Sequence, residues 1–153
     1  MKYLFNFKNI HNCEAVVISC IDFRFRKETA EFMENELGLK TFDLAAFPGG
    51  SKPINESITD VDLAMQCLSV PCELHHIKKI VVINHEDCGA YGGSAKFNND
   101  RQAEKEFHFA ELRKAKKKIM EKCPNREVVL IYADLTADKQ NIEFLAVPAL
   151  TSD

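Results

Sequence analysis

The sequence lacks the features of an exported or membrane-inserted protein. Its first residues, 1–8, contain neither a long apolar core nor a small-residue cleavage site. No later run approaches the ~20 consecutive apolar residues that a helix needs to cross a bilayer. We therefore expect a cytoplasmic protein that has no membrane as a partner.

An excess of positive charge is also lacking. Lysine and arginine total 20 against 23 acidic residues, which gives a net charge of −3 and argues against nucleic acid as a partner. One basic cluster occupies positions 113–118, but acidic residues share its predicted helix, and such a mixture is typical of a solvated surface. The expected partner is therefore a small molecule. The acidic residues in question are Glu104, Glu106, Glu111 and Glu121.

Repeats, low-complexity tracts and linkers are absent as well. A chain of 153 residues with 46% apolar content can bury one core, so we expect a single domain over residues 1–153. The apolar pattern predicts strands that alternate with helices, followed by a short edge strand. The predicted strands cover 14–20, 40–46, 81–85, 127–132 and 142–147, and the predicted helices cover 26–37, 53–70 and 100–122.

Glycine and proline set several of these boundaries. Gly38 is placed to end the first helix, and Pro71 is placed to end the second. The turn 48–50, Pro-Gly-Gly, closes the second strand, and its backbone can approach a ligand closely enough to help form a site. The second helix is predicted from apolar residues that recur at three or four positions and face the sheet. These residues are Ile54, Ile58, Val61, Met65 and Leu68.

The third predicted helix has apolar residues on two faces. Asn99 or Asp100 can cap its beginning. Because its apolar stripe is not single, we expect this helix to break or to pack on a partner chain, and hence a homodimer or higher homo-oligomer. Ala103, Phe107 and Ala110 lie on one face, and Phe109, Leu112, Ile119 and Met120 lie towards the other.

Six cysteines are present, and a protein without an export signal is expected to keep them reduced. A cysteine close to a histidine at ligand spacing then indicates a metal or catalytic site rather than a disulfide. The cysteines outside such a pattern are expected to be packing residues that are dispensable for metal binding. They are Cys13, Cys67, Cys72 and Cys123.

Two buried-type strands each end in residues that bind metals. The first ends at Cys20, and the third ends at His85, with Cys88 following three residues later. If the strands are parallel neighbours, about 4.8 Å apart, the three side chains converge at the carboxyl edge of the sheet, where open α/β sheets keep their sites. One Zn²⁺ per chain could then be held by all three, with a fourth position open. The alternative is that these cysteines are ordinary buried thiols.

The residues around both strand ends resemble a known family. Cys20-Ile21-Asp22-Phe23-Arg24 and His85-Glu86-Asp87-Cys88-Gly89 are similar to the paired C-x-D-x-R and H-x-x-C-G signatures of the β-class carbonic anhydrases. The similarity covers roughly residues 16–93. The two motifs fall in the expected order with the expected helix between them.

This resemblance implies an α/β fold with a mainly parallel four-stranded sheet flanked by helices. It also implies zinc bound by Cys20, His85 and Cys88, with water or Asp22 at the fourth position. In the family, the residue matching Arg24 draws the carboxylate matching Asp22 off the metal, so that it orients a metal-bound hydroxide at carbon dioxide. The implied enzyme is a zinc-dependent lyase that interconverts carbon dioxide and bicarbonate.

One stretch departs from the family pattern. Where the second strand usually ends in an Arg-Asn-Ala-Gly type sequence, this chain has Ala46-Phe47-Pro48-Gly49-Gly50. Two alternatives therefore stand beside the carbonic anhydrase hypothesis. One is a zinc hydrolase acting on carbon disulfide or carbonyl sulfide, and the other is a zinc-binding protein without turnover, in which Asp22 stays on the metal or Phe23 or Phe47 fills the pocket.

Overall fold

A five-stranded sheet organises the protein. The computed structural model describes residues 1–59 and 62–149. In the sheet the strands stand in the order β2-β1-β3-β4-β5; β1 to β4 are parallel, and β5 pairs antiparallel with β4. The predicted α/β fold, with its four-stranded parallel sheet and extra edge strand, is confirmed. The strands are β1 (Ala15–Cys20), β2 (Phe42–Phe47), β3 (Lys79–His85), β4 (Glu127–Leu135) and β5 (Ile142–Ala146).

The central strands are buried on both faces, which explains their unbroken apolar runs. Val16 and Ile18 pack into a core on one face of the sheet, together with residues of three helices. Val17 and Val81 point the other way and pack against Met33 of the first helix. The core thus fixes β1 beside β3, and their carboxyl ends lie at the same edge. The four helices are α1 (Arg26–Asn35), α2 (Lys52–Glu56), α3 (Leu63–Leu74) and α4 (Arg101–Lys122).

The second predicted helix is wrong as a single element, because the structure has two helices, α2 and α3, in its place. The carboxylate of Asp62 accepts hydrogen bonds from the backbone N–H groups of Ile58 and Thr59, at 2.7 and 3.2 Å, and these bonds divert the backbone N–H groups of 58 and 59 from a continuous helix. Val61 lies outside the described residues. Pro71 does not end α3, since the helix runs three residues further, to Leu74.

The observed bounds of the first and last helices agree more closely with those predicted from the sequence. α1 ends at Asn35, and Gly38 then turns the chain with φ +65°. Asp100 caps α4 by accepting hydrogen bonds from two backbone N–H groups of its first turn. Of the two alternatives for α4, the break is wrong, because the helix is continuous over 22 residues. Among the described residues, no helix is long and apolar enough to cross a membrane.

Candidate metal centre

The carboxyl ends of β1 and β3 bring Cys20, His85 and Cys88 together. One ligand atom from each of the three side chains lies within 4.8 Å of the other two. The sulfur atoms of Cys20 and Cys88 are 3.9 Å apart. This juxtaposition follows from the parallel pairing of β1 with β3, which places both strand ends at one edge.

His85 is oriented so that one ring nitrogen faces the two sulfur atoms. Its Nδ1 lies 2.7 Å from the backbone carbonyl oxygen of Glu86 and donates to it. Phe25 packs on the ring at 4.2 Å between centroids. With Nδ1 carrying the proton, Nε2 presents a lone pair, and this buried atom has no hydrogen-bond partner among the described residues. A buried acceptor without a partner is costly unless a ligand completes it.

The two thiols behave as a coupled pair. The pKa of Cys20 is lowered, first because the Cys88 thiol donates to its sulfur, with a smaller contribution from the Gly49 N–H group at 3.4 Å. The pKa of Cys88 is raised, because the Cys20 thiolate holds its proton and because the side chain is buried. The site thus stabilises one negative charge before any metal binds.

The donor set fits a zinc ion. Zinc holds thiolate sulfurs at about 2.3 Å, so two sulfurs in a tetrahedral shell lie about 3.8 Å apart. The observed sulfur separation of 3.9 Å is close to that spacing. Two sulfurs and one imidazole nitrogen also leave the fourth tetrahedral position free, which is the arrangement of catalytic rather than structural zinc.

Asp22 and Arg24 form a tight pair beside these ligands. The Arg24 guanidinium donates to both carboxylate oxygens of Asp22, with distances of 2.6 to 3.1 Å. These bonds lower the pKa of Asp22 to about 2, so it is a carboxylate at neutral pH. Its Oδ2 lies 3.9 Å from His85 Nε2. The carboxylate is therefore adjacent to the metal ligands but engaged by arginine.

Asp87 is the residue that sequence reasoning missed. Its carboxylate accepts a hydrogen bond from Arg24 Nη1 at 3.0 Å, and its backbone carbonyl accepts one from Nη2 at 3.0 Å. The buried Glu104 carboxylate accepts the Asp87 backbone N–H at 2.7 Å and helps to hold a left-handed backbone with φ +56°. The only sequence signal was the position of Asp87 inside the H-x-x-C motif.

The turn after β2, whose sequence departs from the family pattern, also supports the site. The Ser51 backbone N–H donates to the Asn84 side-chain oxygen at 3.0 Å, which ties the turn to the end of β3. Tyr91 lies behind this contact, with its hydroxyl 3.2 Å from that of Ser51. His108 is fully buried and 3.3 Å from the Asn84 amide. Tyr91 and His108 therefore support the site from behind.

A small cavity opens beside the ligands. Its volume is about 190 Å³, and its wall is predominantly apolar, with Phe25, Met33 and Ile83 beside Cys20 and Asp22. Neither of the phenylalanines 23 and 47 is among its lining residues. The cavity is of a size for a molecule of a few atoms.

The comparisons with known proteins agree with this geometry. A family model described as "Putative carbonic anhydrase" matches residues 10–143. Two relatives, both described as uncharacterized proteins, come from Rickettsia. The one from Rickettsia bellii is 34% identical over 126 residues, covering 79% of this chain and 76% of the relative. The one from Rickettsia conorii is 36% identical over 127 residues, covering 79% of this chain and 67% of the relative.

Solved structures share the fold. A β-carbonic anhydrase from Trichomonas vaginalis superposes with a TM-score of 0.60 at 11% identity, over 95% of this chain and 87% of that one. A carbonic anhydrase from Glaciozyma antarctica gives a TM-score of 0.60 at 13% identity, over 92% of this chain and 85% of that one. The family match, which spans both signature motifs, and the shared fold lead to one conclusion: the chain belongs to the carbonic anhydrase family.

Proposed function

We propose that the protein is a zinc-dependent lyase that hydrates carbon dioxide reversibly to bicarbonate. The observation that carries the proposal is the unpartnered Nε2 of His85, buried beside two cysteine sulfurs, with Asp22 held next to it by Arg24. These are the donor atoms of a three-ligand zinc site, together with a carboxylate withheld from the fourth position.

Zinc bound at this site would lower the pKa of a coordinated water and so supply a nucleophile near neutral pH. The chain's own residues determine how well this works. Two thiolates neutralise the formal charge of Zn²⁺, so hydrogen bonding around the water matters more than at a site of three histidines. The Asp22 carboxylate is the acceptor placed to provide this hydrogen bond to the water.

Asp22 orients the attacking water, and Arg24 keeps it available for that role. The paired carboxylate, with its pKa lowered to about 2, stays an acceptor at every physiological pH. Arg24 is itself anchored by Asp87, so the carboxylate cannot swing freely towards the cysteines. The apolar wall of the cavity suits an uncharged linear substrate such as carbon dioxide.

The same apolar wall favours a second candidate, the hydrolysis of carbon disulfide or carbonyl sulfide. Both are uncharged linear molecules that an apolar cavity of about 190 Å³ can admit. The two functions use the same residues and differ only in substrate. Parallel assays with carbon dioxide and each sulfur analogue distinguish them.

The decisive test measures metal content and stopped-flow carbon dioxide hydration on the same sample. We expect Cys20→Ser and Cys88→Ser each to lose one equivalent of zinc together with the activity. Cys67→Ser, a cysteine outside both sequence motifs, is the matched control and should retain both. Full zinc content in the Cys20 and Cys88 variants would refute the ligand set. Zinc binding by the parent without hydration would refute the activity and leave the sulfur analogues or a non-catalytic role.

A further inference from the structure

A second cluster of metal-binding side chains lies at the opposite, amino edge of the sheet. Cys13 lies two residues before the first residue of β1, Asp43 belongs to β2, and His75 follows the last residue of α3. One ligand atom from each lies within 4.8 Å of the other two. Cys13 was expected to be a packing thiol, but its sulfur lies 3.5 Å from an Asp43 carboxylate oxygen.

Backbone pairing brings these three side chains together. The Cys13 backbone N–H donates to the His75 carbonyl oxygen at 3.1 Å, which fixes the end of α3 beside the entry to β1. Asp43 pairs in register with Val16 of β1, the neighbouring strand. His76 is adjacent in sequence but has φ +50° and is not part of the cluster. Three separate chain segments thus contribute one ligand each.

The distances suit a metal ion of the zinc type. A sulfur and a carboxylate oxygen in one tetrahedral zinc shell lie about 3.5 Å apart, given bond lengths of about 2.3 and 2.0 Å. The observed separation between Cys13 Sγ and Asp43 Oδ2 is 3.5 Å. The Asp43 oxygen and His75 Nδ1, now 2.6 Å apart in a hydrogen bond, need to separate by less than about 1 Å to fit such a shell.

Solvent access and the donor types of the side chains suit a cation at this cluster, whose adjoining cavity is also lined by Lys40. Asp43 contributes a carboxylate, and the carboxyl end of a 12-residue helix, α3, provides the negative end of its dipole. A cavity of about 420 Å³ adjoins the cluster and is also lined by His11, so an ion can enter from solvent. Water or His11 can complete the shell. The mixture of sulfur, nitrogen and oxygen donors selects borderline transition metals over Mg²⁺ or Ca²⁺.

We propose that Cys13, Asp43 and His75 form a second metal site, which binds a borderline divalent transition-metal ion such as Zn²⁺. The site joins the segment before β1 to the beginning of β2 and the end of α3, far from the catalytic edge of the sheet. Its role is structural, because binding to the folded chain alone stabilises that chain. It does not depend on the proposed carbonic anhydrase activity.

Titration of the metal-free protein with Co²⁺ tests the second site, because cobalt bound to thiolate absorbs in the near ultraviolet. We expect two equivalents in the parent and one in Cys13→Ser or His75→Gln. The matched controls Cys67→Ser and His76→Gln change the same residue types outside the cluster and should still bind two. The single variant Cys20→Ser should still bind one equivalent. The double variant that also carries Cys13→Ser should bind none.

Thermal unfolding gives an independent measurement of the same site. The second equivalent of Zn²⁺ should raise the melting temperature of the parent but not that of Cys13→Ser or of Asp43→Asn, which keeps the shape of the side chain. A Cys13→Ser variant that binds as many equivalents of metal as the parent would overturn the proposal. Loss of hydration activity in Cys20→Ser alone has no bearing on it, so failure of the two proposals is distinguishable.

Discussion

Arg24 holds two carboxylates and so governs the position of the one nearest the candidate metal ligands. Its guanidinium binds Asp22 on one side and Asp87 on the other, at 2.6 and 3.0 Å. We expect removal of the guanidinium to free Asp22, whose Oδ2 is 3.9 Å from His85 Nε2, so that it binds a metal at the proposed site instead of orienting water. In the proposed function, the arginine thus keeps the fourth metal position open.

We therefore expect Arg24→Ala to lower carbon dioxide hydration on the order of 10²-fold, about 3 kcal/mol of transition-state stabilisation, while zinc content stays unchanged. Asp22→Asn should also keep zinc and lose activity, because the amide is a poorer acceptor. Lys27→Ala removes a surface cation that pairs with Glu31 at 3.7 Å and should change neither property. Equal activity of parent and Arg24→Ala would contradict this role.

His108 makes stability depend on pH. It is fully buried, and this desolvation lowers its pKa from 6.5 to about 3. Glu104 lies 3.9 Å away, the rings of Tyr91 and Tyr132 pack on the imidazole, and the charges of His85 and Lys96 also act on it. Because the unfolded chain binds a proton below pH 6.5 and the folded chain does not, acidification favours unfolding.

The free energy of unfolding should accordingly fall by up to about 1.4 kcal/mol per pH unit from this residue, between pH 6.5 and about 3. His108→Gln lacks this contribution, so its stability should decline less steeply when urea unfolding is compared at pH 7, 5.5 and 4.5. His76→Gln, at an exposed histidine outside both clusters, should decline like the parent. Parallel curves for parent and His108→Gln would contradict the expectation.

At the scale of elements, strands and helices that follow from the local apolar pattern were predictable. Features that depend on side-chain hydrogen bonds or on buried polar residues were not. β1 and β3 were predicted because burial on both faces requires apolar runs such as Val16 to Ile18. α4 was misread because its buried face includes Glu104 and His108, so hydrophobicity alone does not identify that face. The interruption between α2 and α3 depends on side-chain hydrogen bonds of Asp62 that the apolar spacing does not reveal.

The turn between β2 and α2 is tightly constrained at Gly50. Its φ of +56° is in the left-handed region, and a Cβ there would lie 2.5 Å from the Ile83 carbonyl oxygen and 2.7 Å from Asn84 Oδ1. The glycine therefore allows the turn to approach the carboxyl end of β3, where His85 lies. A side chain would push this support away from His85, a candidate metal ligand.

Gly50→Ala should destabilise the protein by about 2–4 kcal/mol, because it adds a backbone clash to the cost of a left-handed residue. Gly38→Ala is the matched control, since its φ is +65° but its Cβ would meet nothing within 4 Å. It should cost only about 1 kcal/mol. Urea unfolding measures both, and equal losses would show that the contact with β3 is unimportant.

At the scale of the whole molecule, the sequence predicted the candidate site at the carboxyl edge of the sheet but not the cluster at its amino edge. Cys20 and His85 end neighbouring strands, so their convergence followed from the topology alone. Cys13 and His75 meet because the end of α3 packs beside the entry to β1, and no periodicity in the sequence specifies that contact. Asp87 was likewise hidden, because its function depends on Arg24, which is distant in sequence.

Self-association remains a prediction, and the structure changes where we expect it. The buried residues of α4 face its own chain, so α4 supplies little of a partner surface. β2 instead forms an edge of the sheet, and an apolar groove of about 300 Å³ runs between it and α3. Leu44 and Leu63 line this groove and are 58% and 69% exposed. An exposed edge strand beside apolar side chains is a template for pairing with a second copy.

We expect a dimer that Leu63→Glu disrupts, because each copy would bring an unpaired carboxylate into the buried contact. The dissociation constant should rise at least ~10²-fold, which corresponds to about 2.7 kcal/mol. Met120→Glu makes the same change at a residue of α4 that is 52% exposed, and it should leave the dimer intact. Light scattering at high micromolar concentration gives the mass of each variant. A monomeric parent, or a dimeric Leu63→Glu variant, would show that the groove between β2 and α3 is not the interface.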